Sequence, residues 1–125
     1  MTNLLLIAAA GGAGALARYG LGLGVQRLTG SEFPLGTLVV NLVGCLAFGL
    51  IAGLAEQRLP LTKETELVIF TGFMGAFTTF STYAFHTGLF LHEKQWGWAV
   101  LNLAGHNVIG VALLLIGLVI GRSFA

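Results

Sequence analysis

Four apolar stretches, separated by short connections that hold nearly all the charge, leave this chain few ways to fold. They run from about Leu4 to Val25, Pro34 to Leu54, Leu67 to Leu91 and Gly97 to Gly121. An α-helix needs about 20 apolar residues to cross the hydrocarbon core of a bilayer. The connections hold Arg27 and Glu32, then the run from Glu56 to Glu66, then Glu93 and Lys94. Overall, 56% of the residues are hydrophobic and 9% charged, where a soluble domain carries about 25% charged residues. The sequence therefore predicts an all-α membrane protein, a single domain over residues 1–125 with four transmembrane helices and the lipid bilayer as its solvent. The net charge is +1 and no basic stripe is present, so nucleic-acid binding is excluded. The N-terminus superficially resembles a signal peptide, but Arg18 follows its small residues and no basic region precedes the apolar run. A retained first helix is expected. Cys45, the only cysteine, lies within the second apolar stretch and is expected to pack there. Trp96 and Trp98 begin the fourth stretch, where an aromatic belt would lie.

An even number of spans puts both termini on the side of the connection between stretches two and three. That side carries Arg58, Lys63 and Arg122, and the other Arg18, Arg27 and Lys94, so neither has an excess. Orientation in the membrane follows the excess of Lys and Arg on one side. A balance predicts insertion both ways up, and with it an antiparallel dimer, since a chain this small is expected to build a membrane pathway as an oligomer.

The third stretch has no formal charge, yet its centre, TGFMGAFTTFST from Thr71 to Thr82, gathers Gly72, Gly75, Thr78, Thr79, Ser81 and Thr82. These residue types are poor helix formers. A chain leaves the helix inside a membrane only where protein or a polar cavity satisfies the freed backbone. The stretch is therefore expected to break at mid-membrane and to mark a binding or conduction site. Phe70, Phe73, Phe77 and Phe80 recur at helical spacing beside those hydroxyls, which by default means packing. Ring edges carry positive potential and would suit an anion. Carbonyls freed between Gly75 and Thr78 would suit a hard cation instead.

The other stretches each carry a polar element. In the second, Thr37 and Asn41 lie one turn apart, and Asn41 serves either an interhelical hydrogen bond or a pore. In the first, Arg18 within GGAGALARYG either snorkels to the interface or makes a positive vestibule. Gly11 and Ala15 of the same motif are expected to serve helix packing. In the fourth, Asn102 and His106 lie one turn apart with Gly110 following; His106 is either a neutral spacer or a pH-sensitive group, and His86 in the third poses the same choice. No Asp, Glu or Lys lies near the centre of any stretch, and no metal cluster, phosphate loop or nucleophile–base pair is evident, so an enzyme is not expected.

Taken together, GGAGALARYG, GTLVVN, GFMGAFTTFST and Asn102 with its following polar turn resemble the small fluoride-channel family known as Fluc or CrcB, over essentially the whole chain. The resemblance implies a dual-topology homodimer in the cell (inner) membrane, with two antiparallel fluoride pathways and a central structural Na⁺. By motif, it implies that the backbone carbonyls of Gly75 and Thr78 bind Na⁺, using both subunits. It further implies that Phe80 and Tyr83 line the pathway with ring edges, that Asn41 is the pore amide, that Thr79, Ser81 and Thr82 form a hydroxyl track, and that Arg18 stands near the mouth. Tyr83, His86, His106 and Gly110 depart from the phenylalanine, glutamate, Asn or Ser, and serine expected at these positions.

The chemistry suits fluoride, which is small, strongly hydrated and accepts hydrogen bonds without donating them. A dry pore must replace its water with donors or positive ring edges, since an unpaired ion in apolar surroundings is prohibitively costly. The expectation is a passive channel that exports cytoplasmic fluoride. The rivals are a small multidrug transporter, which would need a membrane-embedded carboxylate that the first stretch lacks, a non-conducting membrane scaffold, and one subunit of a heterodimeric fluoride channel, which Gly110 and the histidines leave open.

Overall fold

The computed structural model describes residues 1–124, all of whose regular structure is helical. Four helices, Thr2–Thr29, Leu35–Gln57, Lys63–His92 and Trp96–Ser123, are long and apolar enough to cross a membrane. We label the first two α1 and α2. The third region comprises α3, residues 63–77, and α4, Phe80–His92; α5 is Trp96–Ser123. Each span extends a few residues beyond its apolar stretch, because helix geometry continues into the polar caps.

α1 ends at Gly30, whose φ of 58° is left-handed backbone that glycine adopts without a Cβ penalty. The turn that follows is tied by Gln26. Its Nε2 donates to the carbonyls of Ser31 (2.5 Å) and Phe33 (3.2 Å), and its Oε1 accepts from the Gly36 amide (3.0 Å). The side chain of one helix thus caps the first turn of the next, where Pro34 offers no side-chain cap. Phe33, buried in this turn, stacks on Phe90 (5.9 Å between ring centroids) and contacts Trp98 (5.2 Å), pinning the turn to the ends of α4 and α5.

α2 and α5 pack backbone to backbone. Gly49 and Gly53 of α2 lie on the carbonyls of Leu114 and Leu118, and Gly117 and Gly121 of α5 lie on those of Leu46 and Leu50. A Cβ at any of the four would collide with main chain, which no rotamer change relieves. This is the small-xxx-small seam by which helices associate where apolar burial alone gives no drive. A Glu56–Arg122 ion pair of 2.7 Å closes the exposed end. α1 packs on α3 in the same way, with Gly14 against the Phe73 carbonyl. The small core between these helices is Val40, Met74 and Phe77, flanked by Ala17, Leu21, Ala47, Ile69, Phe70 and Phe73.

Two stretches depart from α-geometry: Leu67–Met74 in α3 and Gly105–Ile109 in α5 widen to π-helical turns, a feature often found at functional sites. Helix ends at Phe77 and resumes at Phe80, with Thr78 (ψ 157°) and Thr79 (φ −145°, ψ 104°) extended between them.

Candidate functional site

The two extended residues free backbone groups that a helix would have paired, and their partners come from nearby side chains. Asn41 of α2 meets Thr79 with both halves of its amide: Nδ2 donates to the Thr79 carbonyl (3.1 Å), and Oδ1 accepts from the Thr79 amide (2.8 Å). Each of the two residues is only 8% exposed, so this pairing takes place out of solvent. Thr79 in turn caps α4, its Oγ1 accepting from the Thr82 amide (3.3 Å) and donating to Thr82 Oγ1 (2.9 Å). The Thr82 hydroxyl proton is left as the free donor of the pair. Thr78 donates from its amide (3.1 Å) and from its hydroxyl (3.0 Å) to the Met74 carbonyl, and its methyl seats on Gly44, where a Cβ would displace it.

Beneath this break opens a cavity of about 670 Å³. Thr79, Thr82, Val40 and Thr37 lie on its inner walls, and Arg18, His86, Glu32 and Glu93 also line it. Arg18 is half-buried along this wall, so the cavity has the cation that the sequence associated with a vestibule, with carboxylates beside it.

Tyr83 and His106 lie in a different place, the seam between α4 and α5. Asn102, wholly buried, donates to the Tyr83 carbonyl (3.2 Å) and to Thr87 Oγ1 (2.9 Å), and Thr87 Oγ1 donates to the same Tyr83 carbonyl (2.9 Å). The Tyr83 hydroxyl accepts from Asn107 Nδ2 (2.9 Å). The His106 ring lies 4.3 Å from that of Tyr83. Phe80 meets Tyr83 edge-on at 5.4 Å and is otherwise 78% exposed. Ser81 and Gly75 are exposed as well. The expected site residues therefore fall into three groups: Asn41, Thr78 and Thr79 at the break; Arg18, Thr79 and Thr82 on the cavity; and Phe80 and Tyr83 with His106 along α4 and its seam with α5. Ser81 stands at the edge of the first two groups, its Oγ 3.5 Å from Thr79 Oγ1, and Gly75 joins none of them.

The chain matches the family described as CrcB-like protein, Camphor Resistance (CrcB), over residues 5–118. It belongs to the CrcB family. A fluoride-specific ion channel FluC of Maridesulfovibrio salexigens is 48% identical over 122 residues, covering 98% of this chain and 97% of that protein. One of Nitrosococcus oceani is 48% identical over 120 residues, 96% of each chain. One of Chloroflexus aurantiacus is 39% identical over 124 residues, covering 99% of this chain and 98% of its own. With four helices able to span a bilayer, this CrcB-family chain is a multi-pass membrane protein.

Three residues of this CrcB chain escaped the sequence analysis. Gln26 and Asn107 act through contacts 10 and 24 residues away, and Thr87 through one 15 residues away. Gln26, a polar side chain one turn before the α1 cap, was the nearest to a signal.

Proposed function

We propose that this protein is a passive, fluoride-selective channel of the cell membrane, which lets cytoplasmic fluoride leave down its gradient. The observation that carries the reading is the set of relatives named fluoride-specific ion channel FluC that match this chain nearly end to end. The site's chemistry agrees with it. Thr82 has a hydroxyl proton free beside a cavity in which Arg18 supplies the cation, with Glu32 and Glu93 as counter-charges on the same lining. Asn41 and Thr79 hold the break at mid-membrane, and Asn41 keeps a second N–H for the anion's path. Ser81 and the edges of Phe80 and Tyr83, which lie outside that cavity along the helix Phe80–His92, would carry the anion onward, and His106 lies beside Tyr83.

The working unit is an antiparallel homodimer with two pathways. Phe80, Ser81 and Gly75 are each exposed among the described residues. A second copy would cover them, and the even division of basic residues between the two sides favours opposite orientations. At the centre of such a dimer, Gly75 and Thr78 of each copy would hold Na⁺. The exposure of Gly75 and the extended backbone of Thr78 leave neutral carbonyl oxygens for a hard cation, and no acidic or imidazole cluster competes for it among the described residues. Bound there, Na⁺ would brace the two breaks against each other.

The test is fluoride efflux from liposomes that contain only this purified protein, with chloride measured in parallel. Fast, fluoride-selective efflux without a proton gradient is expected. No efflux from well-folded protein would point to a heterodimer lacking its partner, and efflux coupled to proton exchange would return the multidrug-transporter reading.

A further inference from the structure

The three buried side-chain polar atoms that lack a hydrogen-bond partner among the described residues are His86 Nδ1, Asn102 Oδ1 and His106 Nε2. They belong to α4 and α5, and His106 shows what kind of group would pair with it. Its Nδ1 lies 3.0 Å from the Asn102 carbonyl oxygen, which can only accept. Nδ1 is therefore the protonated nitrogen, and in the neutral ring Nε2 carries a bare lone pair. That lone pair is buried beside Tyr83 with no donor to meet it. An anion cannot use it either, because a lone pair repels fluoride. Adding a proton reverses both defects: Nε2–H becomes a donor, and the ring becomes a cation.

We propose that His106 is a proton-linked fluoride-binding residue, taking up a proton at Nε2 together with the anion, so that this channel holds fluoride more tightly as pH falls. The inference rests on the fluoride-channel reading and assigns that site a regulation by protons. Its surroundings explain why proton and anion arrive together. From α4 the ring meets Tyr83, with His86 further along the same helix. From its own helix come the neutral Asn102 and Asn107. From α2 the nearest titratable group is Cys45, 3.5 Å from where a Gly110 Cβ would stand, one turn beyond His106. The charged groups Arg18, Glu32 and Glu93 line the separate cavity that His86 also borders and His106 does not. No carboxylate pairs with the His106 ring, so an imidazolium in the empty seam would be a buried charge without a counter-ion, which is costly. Fluoride supplies the counter-ion. By linkage, fluoride raises the proton affinity of Nε2, and a proton on Nε2 raises fluoride affinity by the same factor. The sign follows from the raised pKa of the fluoride-bound state. The gain is fully present below the pKa of the empty state and is lost as pH rises through that of the bound state, with a limiting slope of about tenfold per pH unit.

The test is fluoride efflux from proteoliposomes at equal pH on both sides, stepped from about pH 6 to 8 across the imidazole range, with leakage through protein-free vesicles subtracted. Wild-type efflux at sub-saturating fluoride should fall with rising pH, by up to about tenfold per unit. His106→Asn should lose that slope, whereas His86→Gln and the exposed-site control His92→Gln should keep it. On the unmodified protein, ¹⁵N-imidazole NMR near neutral pH should show fluoride, but not chloride, moving Nε2 of His106 from the lone-pair to the protonated position. A flat wild-type profile, a slope that survives His106→Asn or vanishes in His86→Gln, or an Nε2 signal blind to fluoride would each overturn the proposal. Fluoride-selective but pH-flat efflux would sink this inference alone, whereas no selective efflux at any pH would sink the channel reading beneath it.

Discussion

Asn41→Ala is the substitution with the most to reveal, because it strips two partners from one residue at once. The Asn41 side chain pairs with the Thr79 amide and carbonyl, at 2.8 and 3.1 Å, and Thr79 is 8% exposed. A buried backbone group left without a partner costs about 1–3 kcal/mol, so losing both should destabilise the fold by about 2–6 kcal/mol. That is at least a thirtyfold shift in the folded fraction, where an average interhelical hydrogen bond in a membrane protein contributes only about 0.6 kcal/mol. The midpoint of denaturant-driven unfolding in detergent micelles measures it. Asn41→Asp separates structure from conduction. The carboxylate still accepts from the Thr79 amide but faces the Thr79 carbonyl with no donor, so it should lose part of the stability. Its charge adds a second effect. At about 4 Å and an effective dielectric near 20 it opposes a passing fluoride by about 4 kcal/mol, enough to slow efflux by about a thousandfold. An Asn41→Ala protein that unfolds like the wild type would refute the clamp, and undiminished fluoride efflux through Asn41→Asp would remove Asn41 from the pathway.

Other outcomes follow from the same contacts. Gly117→Val should disrupt the α2–α5 seam, because its side chain meets the Leu46 carbonyl; a loss of about 1–3 kcal/mol or more is expected in the same unfolding assay. Gly110→Ser should be tolerated, since the nearest atom to an added Cβ is Cys45 Sγ at 3.5 Å, and fluoride efflux should hold or rise with the added hydroxyl. Phe80→Leu should lower fluoride efflux while leaving the dimer intact, because ring edges rather than bulk are asked to carry the anion; full conduction would reduce the ring to packing. Gln26→Ala should cost about 1–3 kcal/mol by unpinning the α1–α2 turn and its three hydrogen bonds.

The spans were legible because apolar length is a property of consecutive residues, and Leu35–Gln57, for instance, lies within a few positions of the stretch read as Pro34 to Leu54. Thr78 and Thr79 were legible as a weak point of the helix, since hydroxyl-bearing, β-branched neighbours after Gly75 disfavour it. What occupies the freed backbone was not. Sequence spacing places Thr37 and Asn41 on one face of α2 but does not say which helix that face meets, and Asn41 finds Thr79 across 38 residues. The glycine seam shows the same limit. Gly117 and Gly121 are plain in the fourth stretch, but their pairing with Gly49 and Gly53 depends on register between α2 and α5. His106 was recognised as unusual, yet only the Asn102 carbonyl beside it decides which nitrogen holds the proton.

The clamp on Thr79 also bears on biosynthesis. A chain made from its N-terminus delivers α2, and Asn41 with it, before Thr78 and Thr79 emerge. The partner that makes an extended residue tolerable among lipids is already waiting in the membrane when that residue arrives. The order of residues along the chain thus lets the site form during insertion rather than by remodelling a finished bundle.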